Sequence, residues 1–73
     1  MKIDIVSDVA GKVWQIPAPA GTTVGEGDPV VILESMKMEI PVEAPAAGIV
    51  VEILVAEGEP VEDGDKIGVL ERR

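Results

Sequence analysis

The sequence predicts an all-β domain, a sandwich or barrel built from two similar halves. Twelve Val and eight Ile stand against three Leu, one Trp and no Phe or Tyr, and branched aliphatic residues favour strands. Glycines and prolines interrupt every stretch that begins with a 3.6-residue apolar period, so no helix is predicted. Short apolar runs separated by turn residues recur instead every 8 to 12 residues, as in sandwiches and barrels.

The two halves, residues 1–36 and 38–73, resemble each other around Lys37. A shift of 37 positions aligns eleven identical residues without a gap, where about three are expected by chance at ordinary residue frequencies. The identical pairs are Ile3/Ile40, Ala10/Ala47, Gly11/Gly48, Val13/Val50, Ile16/Ile53, Gly21/Gly58, Val24/Val61, Gly27/Gly64, Asp28/Asp65, Leu33/Leu70 and Glu34/Glu71. Two equivalent halves are expected to pack their inner faces about a pseudo-twofold axis, each completing the core of the other.

Five segments are predicted in the first half, before the connection between the halves. Strands are predicted at Ile3–Val6 and Lys12–Ile16, where apolar residues alternate. Pro17–Gly21 is predicted as a loop at a sheet edge, because its repeat partner lies in mid-domain. Val24–Asp28 is a turn whose glycines are available for positive φ. Val30–Leu33 is then a continuous apolar strand, expected to be buried on both faces.

The second half repeats this order of strands and turns. Its predicted strands are Ile40–Val42, Ile49–Val55 and Ile67–Leu70. Its predicted turns are Pro45–Gly48, Glu57–Pro60 and Glu62–Asp65. One small domain of residues 1–73 is therefore expected. Because a chain this short buries only about 60% of its unfolded surface, no deep enclosed active site is expected beside the core.

The composition excludes several functions. Without cysteine or histidine, disulfides, the usual zinc sites and histidine general bases are ruled out. The net charge of −8 disfavours nucleic acid and anionic membrane surfaces, which require Lys and Arg. No long apolar run and no secretion signal is present, so no membrane span is predicted. The cytoplasm is the expected location.

The connection between the halves, Ser35–Met38, is the most distinctive segment. A tight hairpin connection usually draws on Asn, Asp or Gly, because its central residues need positive φ. Here only Ser35 is an ordinary turn former. Since a break in local turn chemistry is expected where function takes precedence, Lys37 is a candidate site. The alternative is that Lys37 is a solvated charge and that Met36 and Met38 fill the core.

The run Glu34-Ser35-Met36-Lys37-Met38 resembles the attachment sequence of the biotinyl/lipoyl domain family, usually Glu-Ala-Met-Lys-Met. The replacement of alanine by Ser35 is expected to be tolerated. Similar glycine turns extend the resemblance over nearly the whole chain, although Asp8-Val9-Ala10 replaces a Pro-Met-Pro that often precedes the first of them. The chain looks most like the free-standing biotin carboxyl carrier proteins, or biotin/lipoyl attachment proteins, of bacteria. Met1 and the early strand favour a complete protein.

The resemblance implies a flattened barrel, or barrel-sandwich hybrid, of two four-stranded antiparallel sheets with the lysine at a hairpin tip. Lys37 would carry biotin through an amide bond. Met36 and Met38 would be recognised by biotin protein ligase, with Glu34 and Ser35 as the motif flank. The biotinylated chain would shuttle carboxyl groups between biotin carboxylase and carboxyltransferase subunits. It would thus be a non-catalytic carrier subunit of a carboxylase, decarboxylase or transcarboxylase.

Two alternatives remain open. Lipoyl carrier domains share the fold, but they usually have Asp or Val before the lysine and Ala or Ser after it; some relatives accept either group. An unmodified β-module that serves only for binding or structure is the other alternative. Glu34 and Glu39 are expected to be solvated strand ends or to face basic partners. Trp14, the single aromatic residue, is expected in the core or on a sheet face rather than as a ligand platform.

Overall fold

The computed structural model describes all 73 residues and consists of eight β-strands. The strands are β1 (Lys2–Val6), β2 (Gly11–Gln15), β3 (Thr23–Val24), β4 (Pro29–Ser35), β5 (Met38–Glu43), β6 (Gly48–Ile53), β7 (Pro60–Val61) and β8 (Lys66–Arg72). They form two four-stranded sheets with strand orders β1-β8-β6-β3 and β5-β4-β2-β7, and every strand pair is antiparallel. The predicted all-β fold of two four-stranded antiparallel sheets is therefore confirmed.

A pseudo-twofold axis relates the two halves of the chain. Replacing β1, β2, β3 and β4 by β5, β6, β7 and β8, and the reverse, converts one sheet order into the other. The turns repeat as well. The Gly27 N–H donates to the Ala44 carbonyl at 2.9 Å, and the Gly64 N–H donates to the Ser7 carbonyl at 2.8 Å. Because each half supplies two strands to each sheet, neither half has a complete sheet by itself.

The core lies between the sheets and consists of aliphatic residues. Thirteen buried side chains form one cluster. Repeat partners are buried together in it, namely Val13/Val50, Val24/Val61 and Leu33/Leu70. Trp14 lies outside it, on the outward side of β2, and is 40% exposed. The one aromatic side chain is thus a sheet-face residue.

The first turn, Ser7–Ala10, is held by a buried hydroxyl. Ser7 is fully buried, and its Oγ donates to the Val9 carbonyl at 2.6 Å and accepts from the Val9 N–H at 3.3 Å. A buried hydroxyl needs such partners to offset its lost hydration. Asp8-Val9-Ala10 therefore forms a local turn held by hydrogen bonds to the Ser7 hydroxyl.

The structure corrects three details of the predicted strands. The two-residue strands β3 and β7 were not predicted, because alternation cannot be recognised over two residues. The predicted strand Ile49–Val55 is too long, since β6 ends at Ile53. The prediction that Val30–Leu33 is buried on both faces is wrong at Ile32, which is only half-buried. A register shift between Pro29 and Val31 instead allows two consecutive valines to be buried on one side of β4.

Candidate functional site

The candidate site is the turn Met36-Lys37, which joins β4 to β5. Ser35 and Met38 are the last paired residues, so two residues reverse the chain. Both turn residues have positive φ, 50° at Met36 and 67° at Lys37, as a type I′ hairpin turn requires. They are the only non-glycine residues with positive φ. The left-handed conformation disfavours a residue with a Cβ by about 1–2 kcal/mol.

The flanking strands impose this conformation. β4 and β5 pair without a break from Ile32 and Pro41 to the turn. On its other side β4 is fixed by β2, where Val13 pairs with Leu33, and both of these side chains are buried in the core. A slip of one residue would turn the buried side chains outward. The strained turn is therefore maintained by core packing on both sides of it.

The Lys37 amine is free. Its side chain is exposed, and the two ion pairs of the chain, Met1–Glu71 and Lys66–Asp4, lie elsewhere. None of the side-chain hydrogen bonds involves it. Each of the other lysines lies within a strand, whereas Lys37 lies in a turn. An enzyme that acts on Lys37 has no internal contact to break.

The methionines on either side of Lys37 are directed into solvent. Met36 is 92% exposed and Met38 is 63% exposed. The alternative in which both methionines fill the core is therefore wrong. Exposed apolar side chains on both sides of an exposed amine form a small surface that a partner enzyme can bury.

Acidic residues lie directly behind the turn. Glu34 on β4 pairs with Glu39 on β5, and both side chains are exposed. Like charges directly opposite each other in an antiparallel pair are destabilising. Lys12 lies opposite Glu34 on β2 but forms no ion pair with it. Sequence reasoning did not connect Lys12 to the site, because the register between β2 and β4 cannot be inferred from alternation alone.

The site has no enclosed cavity. Two surface clefts are present, of about 460 and 380 Å³, and Lys37 lines neither. No group of three or more acidic, histidine or cysteine side chains is placed to hold a metal ion. The chain also has no helix that is long and apolar enough to cross a membrane. The chemistry that this geometry supports is modification of an exposed amine on an ordered turn.

Comparisons with known proteins agree with this geometry. A family model that covers biotin and lipoyl domains, described as "Biotin-requiring enzyme", matches residues 9–70. The chain is 41% identical over 70 residues to the biotinylated protein TB7.3 homolog of Mycobacterium leprae, covering 96% of this chain and 99% of that protein. It is 47% identical over 57 residues to the biotin/lipoyl attachment protein of Bacillus subtilis, covering 78% of each.

A solved structure has nearly the same fold. The urea carboxylase of Kluyveromyces lactis contains a region that superposes with a TM-score of 0.91 at 37% sequence identity. That match covers 97% of this chain but only 6% of the carboxylase. The chain thus corresponds to one small part of that protein and to nearly the whole of the Mycobacterium relative.

Proposed function

The chain belongs to the family of biotin- and lipoyl-attachment domains, and from this premise we propose that it is a biotin carboxyl carrier modified on Lys37. One observation carries the assignment to this residue. Lys37 is an exposed lysine without a hydrogen bond or ion pair, on a turn whose backbone has positive φ at both residues. Residues 1–73 are proposed to form a single biotinyl domain.

The residues of the turn fit an amide-linked biotin. The Lys37 Nζ must lose a proton and attack an activated carboxyl group, so that the amide bond forms as the bond to the activating group breaks and that group leaves. No neighbouring carboxylate holds the amine in place. Bound biotin supplies the ring that accepts and releases a carboxyl group, whereas the protein supplies the position of that ring. The turn is fixed by paired strands, and the lysine side chain is free to rotate. The attached group therefore gains reach, and tethering raises its effective concentration at a partner's active site.

Met36 and Met38 are proposed to be the contact that biotin protein ligase recognises, with Glu34 and Ser35 flanking it. Burying a methionine side chain in a contact contributes about 1.5–3 kcal/mol. Both methionines are exposed in the free chain, so this apolar area is available to a partner. Replacing both by Ala should slow biotinylation strongly. Undiminished biotinylation of the double variant would contradict this role.

The partners are proposed to be biotin carboxylase and carboxyltransferase subunits, and the chain itself is proposed to be non-catalytic. The urea carboxylase match supports a carboxylase setting, because a region of that large chain has this fold. The cytoplasm stays the predicted compartment.

Lipoylation is the second candidate function. It is favoured by one observation, the similarity to a protein named for both biotin and lipoyl attachment. Methionine on both sides of Lys37 disfavours it, because lipoyl domains usually carry other residues there. The unmodified β-module does not account for two residues with a Cβ held in a left-handed turn beside a free amine.

The test is in vitro modification of the purified chain by a biotin protein ligase and, separately, by a lipoate ligase. Streptavidin binding, an anti-lipoyl blot and peptide mass spectrometry give the readouts. The expected result is biotin on Lys37 and no signal in Lys37→Arg. Lys66→Arg and Lys12→Arg are matched controls, because both lysines lie in strands, and they should be modified like the wild type. Biotin on another lysine, or lipoyl alone on Lys37, would overturn the proposal.

A further inference from the structure

The sulfur atoms of the chain are concentrated at the candidate site. Cysteine is absent and there are three methionines, two of which flank Lys37. The third, Met1, is 81% exposed and lies beside Glu71 of β8. The β8–β1 pair is related to the lysine hairpin by the pseudo-twofold axis. Histidine and tyrosine are also absent. An oxidant therefore has few targets in this chain, and two of them lie next to the lysine.

We propose that Met36 and Met38 form an oxidation site that controls the loading of Lys37 with its cofactor; this inference rests on the proposed function. The oxidant is hydrogen peroxide. The thioether sulfur attacks one peroxide oxygen, and an S–O bond forms as the O–O bond breaks. The other oxygen leaves as hydroxide, which takes up the proton of the sulfur-bound hydroxyl and becomes water. The sulfur loses two electrons and the peroxide gains them, giving methionine sulfoxide.

The geometry makes these two sulfurs accessible. Met36 is in the turn itself, and its side chain is 92% exposed. Met38 begins β5 and is 63% exposed. Neither belongs to the buried cluster. Because susceptibility to oxidation follows exposure, both sulfurs should react while the barrel remains folded.

The product changes the surface next to the amine without changing the fold. A sulfoxide is polar and chiral, whereas a thioether is apolar and adaptable. A ligase contact that buries the two methionines would have to bury two polar S=O groups after oxidation. Polar groups buried without hydrogen-bond partners oppose association. Loading of Lys37 should therefore slow, and methionine sulfoxide reductases should restore it.

The experiment compares the rate of biotinylation before and after oxidation. The purified 73-residue chain is treated with hydrogen peroxide, the peroxide is removed, and only then is a biotin protein ligase added. Peptide mass spectrometry confirms sulfoxide at positions 36 and 38, and circular dichroism checks the fold. The expected result is a fall of at least tenfold in kcat/KM, equivalent to about 1.4 kcal/mol, with full recovery after treatment with both epimer-specific sulfoxide reductases.

Two variants separate this effect from oxidation elsewhere. In Met36→Leu/Met38→Leu the apolar contact is kept but neither residue can be oxidised, so peroxide should leave its loading rate unchanged. The Met1→Leu variant lacks the distant methionine, and its rate of biotinylation should still fall after oxidation. Unchanged loading of wild type with both sulfoxides present would overturn the inference, as would equal loss in the double Leu variant. If untreated wild type is not biotinylated on Lys37, the proposed function fails, and this inference fails with it.

Discussion

The β4–β5 hairpin and the β8–β1 pair are equivalent units related by the pseudo-twofold axis, and each takes one strand from each half of the chain. They differ in their charge pattern, and only the hairpin is closed by a turn. Leu33 pairs with Ile40 in the first unit, and their repeat partners Leu70 and Ile3 pair in the second. At the next paired position of the first unit, Glu34 lies opposite Glu39. At the equivalent position of the second unit, Glu71 lies opposite Lys2.

The second unit follows the rules for stable strand pairs, and the first departs from them. Glu71 is opposite a positive charge and also accepts a hydrogen bond from the N-terminal ammonium of Met1 at 2.5 Å. Glu34 is opposite a negative charge, and the hairpin beyond it is closed by two residues with unfavourable φ. Because both units pack on the same kind of core, the fold does not require these departures. The proposed function accounts for them, because it requires that Lys37 be presented to partner enzymes.

The largest expected effect concerns Gly48 and its repeat partner Gly11, which pack against these two units. A Cβ at Gly48 would overlap the Glu71 carbonyl group, whereas a Cβ at Gly11 would lie 3.1 Å from the Glu34 carbonyl oxygen. We expect Gly48→Ala to lower the free energy of unfolding by about 3 kcal/mol or more and Gly11→Ala by about 1 kcal/mol. Urea unfolding followed by circular dichroism measures both. Equal losses of unfolding free energy in the two variants would contradict the expectation that a Cβ is less tolerated at Gly48 than at Gly11.

The second prediction exchanges the lysine turn for favourable turn residues. Met36→Asn combined with Lys37→Gly supplies the Asn-Gly pair that suits a type I′ turn. Relief of two left-handed residues, less the entropy of the added glycine, should raise the free energy of unfolding by about 1–2 kcal/mol. Modification should be abolished because the lysine is gone.

The single variant Met36→Asn keeps the lysine and relieves one position. It should be more stable than wild type by up to about 1 kcal/mol and should be biotinylated more slowly. If the double variant were no more stable than wild type, the turn would not be strained. Backbone strain at the turn would then not distinguish the hairpin from the second unit.

The sequence predicted those features that the two units share. Apolar residues recur at equivalent positions, so the strands that contain Leu33 and Leu70 and the burial of both leucines follow from the pattern. Gly27 and Gly64, at the same place in the repeat, both have positive φ. Gly25 does not, although it lies in the same predicted turn. Composition alone cannot show which of two neighbouring glycines is needed for its conformation.

Features that depend on pairing between distant strands could not be predicted in this way. Alternation places Glu34, Glu39 and Lys12 on exposed positions, but it does not set them opposite one another; the register of β2, β4 and β5 does that. Local residue preferences also do not predict the two-residue turn, since neither Met36 nor Lys37 favours positive φ. Core packing on the flanking strands overrides their preference.

The third prediction transfers the charge pattern of one unit to the other. Glu39→Lys gives the hairpin the pairing that Lys2 and Glu71 have, and it should raise the free energy of unfolding by about 0.5 kcal/mol. Lys2→Glu gives the second unit the pairing of the hairpin and should lower it by a similar amount. Both changes in the free energy of unfolding should become smaller in high salt, because the side chains are exposed. A loss of stability in Glu39→Lys would show that the like-charged pair is not unfavourable.

The smallest expected effect is the pH dependence of the stability that the Glu71 carboxylate contributes, which Glu34 is not expected to share. The hydrogen bond from the Met1 ammonium holds the pKa of Glu71 below its ordinary value, with the charges of Met1 and Lys2 acting in the same direction. A carboxyl whose pKa is lower in the folded state stabilises the fold above its unfolded pKa, about 4.3 for glutamate. That stabilisation is lost as the pH falls through the lower, folded pKa.

Glu71→Gln should therefore be less stable than wild type near neutral pH, and the difference in melting temperature should disappear in acid. Glu34→Gln is the matched control, because its neighbour Glu39 repels it; at neutral pH it should equal or slightly exceed wild type in stability. Melting curves of the three proteins, recorded from neutral to strongly acidic pH, give the measurement. A Glu71→Gln deficit that persisted unchanged below the folded pKa would mean that packing of the side chain, rather than its charge, distinguishes the second unit from the hairpin.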